Sequence, residues 1–281
     1  METSGKEKAN IGSTFKPCSI KMLPKEKWME ASTTAISINP INAPAFQQFK
    51  RAFPGIDLPK EYLAAVVTKM WPNHGVSLTV GFIDPQPADL RARILSHMNA
   101  WSSYCNVNFV ETDRNAQVRI SLANNGQGYW SYLGTDILHV DPNEQTMNLE
   151  GFTMATPDSE FFRVVRHETG HTLGFPHEHL RSEIVNKIDK KKAINYFAIT
   201  QHWNKKEVEN QVLTPIMQSA LLATEEADVN SIMCYWLPGQ IMNDNIEIPG
   251  GTNIDDQDAK FAALIYPKQV QNLNSQVKMN R

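Results

Sequence analysis

The sequence has no large excess of charge of either sign. Its 281 residues carry 27 Lys+Arg against 30 Asp+Glu, a formal charge of −3 at pH 7. A near-neutral chain has no general basic field to draw it onto phosphates, which argues against a nucleic-acid binder held by bulk electrostatics. No stretch approaches the roughly 18 consecutive apolar residues that cross a bilayer, so no membrane span is expected. Residues 1–10 are polar and charged and lack the apolar h-region of a secretory signal, so the expectation is a cytoplasmic chain or one exported without a leader. Three cysteines (Cys18, Cys105, Cys234) are too few for a dense disulfide framework, and the odd count leaves at least one thiol unpaired within the chain. Repeats and low-complexity tracts are absent. What is present, 41% hydrophobic and 20% charged residues, is ordinary globular composition. The length suits one large domain, or one domain with an extension.

The first 60 or so residues differ from the rest. Residues 6–27 are polar and rich in lysine, a short helical pattern follows at 28–38, and then Pro40, Pro44, Pro54 and Pro59 recur too often for a long helix or central strand. This divides the chain into an N-terminal extension, 1–60, and a larger domain, 61–281. In the domain, residues 76–83 alternate and are β-branched, which predicts a strand. Leu90, Ile94, Met98 and Trp101 recur at helical spacing and predict an amphipathic helix over 89–104. Strands are predicted at 107–111 and 117–122, with another short one at 136–140. Thr156-Pro157-Asp158 is a helix start, and that helix should run from 157 to about 173, stopping near Gly174 with Pro176 behind it. Further helices are expected at 189–200, 205–212 and 255–265. Strands mostly precede helices, so the fold class is α+β.

The informative stretch is HETGHTLGFPH, residues 167–177. On a helix, His167 and His171 lie one turn apart on one face, so both imidazoles can reach one ion. Glu168 stands beside them, where its carboxylate can approach a metal-activated water without being a ligand. Gly174 permits a sharp turn, which brings His177 round as a third nitrogen. Three imidazoles with an open fourth position suit a catalytic Zn2+ rather than a closed structural one. Downstream, residues 231–235 (SIMCY) place Met233 in a turn, where its thioether can floor the three imidazoles. Tyr235, two residues on, can aim its phenol at the metal. His179 follows the third histidine but points away on an even helical wheel and is read as a non-ligand, and His74, His97, His139 and His202 are read as surface or packing residues. Asp255, Asp256 and Asp258 lack the spacing of a known calcium loop and are read as acids at a helix start.

From about residue 71 to 267 the chain resembles the astacin family of the metzincin zinc endopeptidases. Residues 167–181 (HETGHTLGFPHEHLR) resemble its extended zinc signature, 231–235 its Met-turn, and 128–134 (GYWSYLG) its Gly-Cys-Trp-Ser-Tyr-x-Gly segment. Two departures stand out. Tyr129 replaces a cysteine common in the family, so the usual two-disulfide pattern cannot form, and Cys234 stands where the family often has histidine. The chain is similar to a minimal, bacterial-type member with an N-terminal pro-segment.

The resemblance implies a metzincin-like α+β fold: a mixed twisted sheet and active-site helix in an upper half, and an irregular, helix-containing lower half, with zinc between them. It implies His167, His171 and His177 as zinc ligands, Glu168 as general base and then general acid, Tyr235 as a catalytic phenol near the metal, and Met233 as structural. Glu178 matches a family glutamate that pairs with the new N-terminus after activation; read from the residues alone it is a solvated helix-end carboxylate. The expected partner is a protein or peptide in extended conformation laid along a sheet edge, for which 136–140 is the candidate. A monomer made as a latent zymogen is expected, and the alternative is a zinc-binding protein of the same fold without peptidase turnover. Cys18 is a candidate inhibitory latch, because a thiolate would fill the position an active enzyme leaves for water. Asp57, in Pro54-Gly55-Ile56-Asp57, is its competitor, and the third reading is a latch at neither.

Overall fold

The computed structural model describes residues 18–43, 67–216 and 226–268. Asp57 lies outside them. Alternation builds the central strand: in β2 (Val76–Phe82), Val76, Leu78 and Val80 are buried while Ser77 is exposed. β2 is flanked by parallel neighbours, β3 (Val107–Glu111) on one side and β4 (Val118–Ser121) on the other. The sheet continues through β6 (Met147–Leu149), parallel to β4, to β5 (Tyr129–Tyr132), antiparallel to β6. It closes on β1 (Cys18–Lys21), which runs parallel to β5 in the register Cys18–Tyr129 to Lys21–Tyr132. The order is β1-β5-β6-β4-β2-β3, so the two ends of the sheet are the N-terminal extension and β3.

Two helices in the first half follow their sequence patterns. α1 (Trp28–Ile38) buries Ala31, Ser32 and Ala35 on one face and ends at the extended Asn39, before Pro40. α2 (Ala88–Met98) buries Leu90, Ile94 and Met98. Covering such side chains stabilises by about 1.5–3 kcal/mol each, far more than helix propensity supplies. Asn99 then ties the helix end to β3, its side chain donating to Phe109 O and accepting from Phe109 N, both at 2.9 Å.

Every named strand among the described residues precedes residue 150. Beyond residue 173 the chain is irregular apart from α4 (Lys190–Thr200), α5 (Asp256–Ile265), the helical stretch expected at 205–212 (Lys205–Val208 running on as a π-helical turn, Glu209–Leu213) and short turns, with isolated bridges Ile188–Met242 and Leu237–Ile248. This is the expected α+β division into a sheet-bearing half and a less regular half.

One expected strand is not there. Residues 136–139 fall within a 3-10 turn, Gly134–His139, and Val140 is the extended residue that ends it. Ile137 and Val140 are buried while Leu138 is exposed, a spacing of three that suits a 3-10 turn better than alternation does. Gly134 initiates the turn at φ +46°, pressed so closely on the Lys69 carbonyl that no Cβ fits. The edge beside the site is β5, in the GYWSYLG segment, and β1 covers it.

Candidate metal centre

The active-site helix begins after Pro157, which precedes it as the capping residue rather than standing at its first position. One turn (Asp158–Glu160) leads into a π-helical stretch, Phe161–Val165, and then into α3 (Arg166–Thr172). Every residue from His167 to Thr172 is buried, because α3 packs between β5, α2 and the turn at Met233. Gly170 makes this approach possible: a Cβ there would overlap the Met233 sulfur. Gly174 then reverses the chain at φ +95°, with Lys69 O 2.9 Å from where its Cβ would stand. Both the conformation and the crowding demand glycine.

The reversal brings the three histidines together. His177 Nε2 lies 3.2 Å from His167 Nε2 and 3.0 Å from His171 Nε2. His167 Nδ1 donates to Ile232 O at 2.6 Å, and His171 Nδ1 donates to Phe175 O at 2.8 Å. A carbonyl can only accept, so each of these two rings keeps its proton on Nδ1 and turns an Nε2 lone pair inward. Three converging nitrogens, two of them fixed as acceptors, cannot all be satisfied by one another and could hold a cation. Ligation at about 2.0–2.1 Å in a tetrahedron would hold neighbouring nitrogens roughly 3.3 Å apart, close to what is found. Burial holds all three imidazoles neutral, with His167 pushed down to about 4. The donor set fits zinc.

Glu168 is fully buried beside them. Burial pushes its carboxyl up to about 8, opposed by the Cys18 thiol and the Arg163 guanidinium. The Cys18 sulfur, a ring nitrogen of His167 and a carboxylate oxygen of Glu168 all lie within 4.8 Å of one another. Tyr235 is buried, its ring 4.3 Å from that of His177, and its hydroxyl takes no hydrogen bond among the described residues. His179 is outside the nitrogen cluster. Its ring stacks on Tyr235 at 4.1 Å, its Nε2 donates to Gln211 O at 2.8 Å, and its Nδ1 accepts from Tyr235 N. Glu178 is not a solvated helix-end carboxylate: it is one-fifth exposed and accepts from Arg181 at 3.2 Å and from Asp228 N at 3.0 Å.

Two features of the site escaped the sequence reading. Asp258 does sit in a helix start, where Asp255 caps α5, but it also reaches back to the turn bearing Met233. Arg163 packs near Cys18, Glu168 and Tyr129, where only its helical position was visible. Neither carries a local motif. All three cysteines are free and buried.

The sequence profile of the peptidase family described as Astacin matches residues 64–246. Zinc metalloproteinase nas-27 of Caenorhabditis elegans is 37% identical over 97 residues, which are 34% of this chain and 20% of that protein. The chain thus matches only a fifth of the length of that relative. One structure of myroilysin aligns with 72% of this chain and 97% of its own, at 31% identity and a TM-score of 0.67. A second aligns with 71% and 86%, at 32% identity and a TM-score of 0.55.

Proposed function

The chain belongs to the astacin family of zinc metallopeptidases, and on that premise we propose that it is an endopeptidase made in a latent form, with Glu168 as its general base. The observation that carries the catalytic reading is the convergence of three Nε2 atoms, those of His167 and His171 lying 3.2 and 3.0 Å from that of His177, with Glu168 buried alongside. His167, His171 and His177 would hold the zinc, which supplies Lewis acidity, lowering the pKa of a water and polarising the scissile carbonyl.

The chain's own residues do the rest. Glu168 takes the proton of the attacking water and delivers it to the leaving amine. The Tyr235 hydroxyl, buried with no hydrogen-bond partner among the described residues, would donate to the oxygen of the substrate carbonyl as negative charge develops on it. Stacking on His179 holds that phenol in place. Met233 fills the space under the histidines that Gly170 leaves open. An extended substrate would pair with β5 rather than with 136–140, since β5 packs on α3 and becomes the edge of the sheet once β1 is removed.

The latent form is supported by what lies on β5. β1 occupies the strand position a substrate would take, and Cys18, its first residue, puts a thiol against Glu168 and His167. On this reading one segment would cover the peptide-binding edge and bring a thiol beside the first histidine and the base. Glu178, on the floor beside Asp228, is the group that would receive the new chain end after activation.

A casein or peptide-library digest tests the reading. Protein freed of the N-terminal extension should cut internal bonds, lose activity to a chelator and regain it with zinc. Bound zinc without cleavage, even after that removal, would leave the zinc-binding protein without turnover as the answer.

A further inference from the structure

The three imidazoles do not have equivalent backing. His177 Nδ1 is buried and takes no hydrogen bond among the described residues. His171 donates to the carbonyl of Phe175. That carbonyl belongs to the peptide bond before Pro176, which has no N–H through which it could be polarised. His167 donates at 2.6 Å to the carbonyl of Ile232, in the Ile232–Met233 peptide. The N–H of that same peptide donates to Ser231 Oγ at 3.0 Å, and the Ser231 hydroxyl donates to Asp258 Oδ1 at 2.6 Å. The other carboxylate oxygen, Oδ2, accepts from Ile232 N at 2.9 Å and from Asp255 N at 3.1 Å. Asp258, Ser231, Ile232 and His167 are all buried.

Every proton in this chain points toward the carboxylate. Imidazole, peptide and hydroxyl donate in sequence, so each bond polarises the next in a poorly screened interior. Histidine ligands commonly donate their second nitrogen to a carboxylate, which fixes the ring and raises its basicity. Here a hydroxyl and a peptide unit stand between the two. A helix-capping role accounts for only the bond from Asp255 N. The bonds to Ser231 and Ile232 run from α5 across to the Met233 turn and serve no cap.

We propose that Asp258 is a positioning residue for the metal centre, holding and polarising His167 through Ser231 and the Ile232–Met233 peptide. The proposal rests on His167 being a zinc ligand. It makes α5, 91 positions from that histidine in the chain, part of the metal site's support.

The test is zinc affinity, measured on the full-length chain by competition with a chromogenic chelator. Thermal midpoints with and without zinc, and the visible absorption of the cobalt-substituted protein, accompany it. Asp258→Asn should weaken zinc binding about 10- to 100-fold, the range for groups that support metal ligands, and shift the cobalt bands. Ser231→Ala should weaken it in the same direction, and Ser231→Thr, which keeps the hydroxyl, should restore it. The double variant Ser231→Ala/Asp258→Asn should lose no more than the worse single one, because both cut one relay. A merely structural brace would lower the zinc-free midpoint while leaving the zinc-induced increment and the dissociation constant within about twofold, and that result overturns the proposal. If Asp258→Asn does not fold, Ser231→Ala against Ser231→Thr decides by the same criteria. A parent protein that binds no zinc would instead overturn the metallopeptidase reading, which keeps the two failures distinguishable.

Discussion

A methyl group at residue 170 would run into the Met233 sulfur, and the rest of the site shows what that would disturb. Met233 N is held by Ser231, and Met233 O accepts from Glu178 N at 2.9 Å, so the sulfur cannot retreat without moving the third histidine's neighbour. Gly170→Ala should therefore destabilise by about 1–3 kcal/mol, as overpacking of a filled core does, read as a lowered urea midpoint at unchanged slope. Glu168 presents the opposite case, a side chain that supports no fold. The contact its carboxylate makes is with the Cys18 thiol of the extension. Glu168→Ala should keep near-stoichiometric zinc and lose at least about two orders of magnitude in turnover, since proton transfer goes and ligation stays. Metal analysis alongside kcat on the activated protein checks it; comparable turnover in the variant would remove Glu168 from the mechanism.

At the scale of elements, α1 is bound to the body through Asn42. This fully buried side chain donates to Ala35 O and Met70 O, both at 2.8 Å, and accepts from Met70 N at 2.8 Å and Thr68 Oγ1 at 2.7 Å. Asn42→Ala leaves those groups in the interior without partners, at about 1–3 kcal/mol for each that stays unsatisfied. The full-length chain should lose a few kcal/mol in a urea titration; a change within error would mean α1 is not part of the cooperative fold. α1 and α2 were legible because their apolar faces repeat locally, and the three histidines because a helix and one glycine fix their geometry over eleven residues. The strand expected at 136–140 failed because three apolar positions, Ile137, Leu138 and Val140, do not by themselves distinguish a period of two from a period of three. The pairing of β1 with β5, and the reach of Asp258 to Ser231, join residues far apart in sequence. They are decided by which surfaces remain to be covered, and no local pattern carries that.

At the scale of the whole molecule, the extension and the catalytic half share a core, with Cys18, Leu23 and Ala31 in the main apolar cluster. If Cys18 is the latch, the full-length protein should be nearly inactive, and Cys18→Ala should show activity with residues 1 to about 60 still attached. A silent Cys18→Ala protein, with Asp57→Ala active instead, would transfer the latch to the aspartate. The four-residue β1 is joined by a short turn to α1, which is itself packed on the body. If that segment inhibits, it is present at a fixed local concentration while the chain is intact, whatever the dilution. One cut turns the same contacts into a bimolecular equilibrium. The excised piece then becomes a competitor for β5 whose hold weakens as the solution is diluted, so onset of activity would follow separation of the fragments rather than the cut itself.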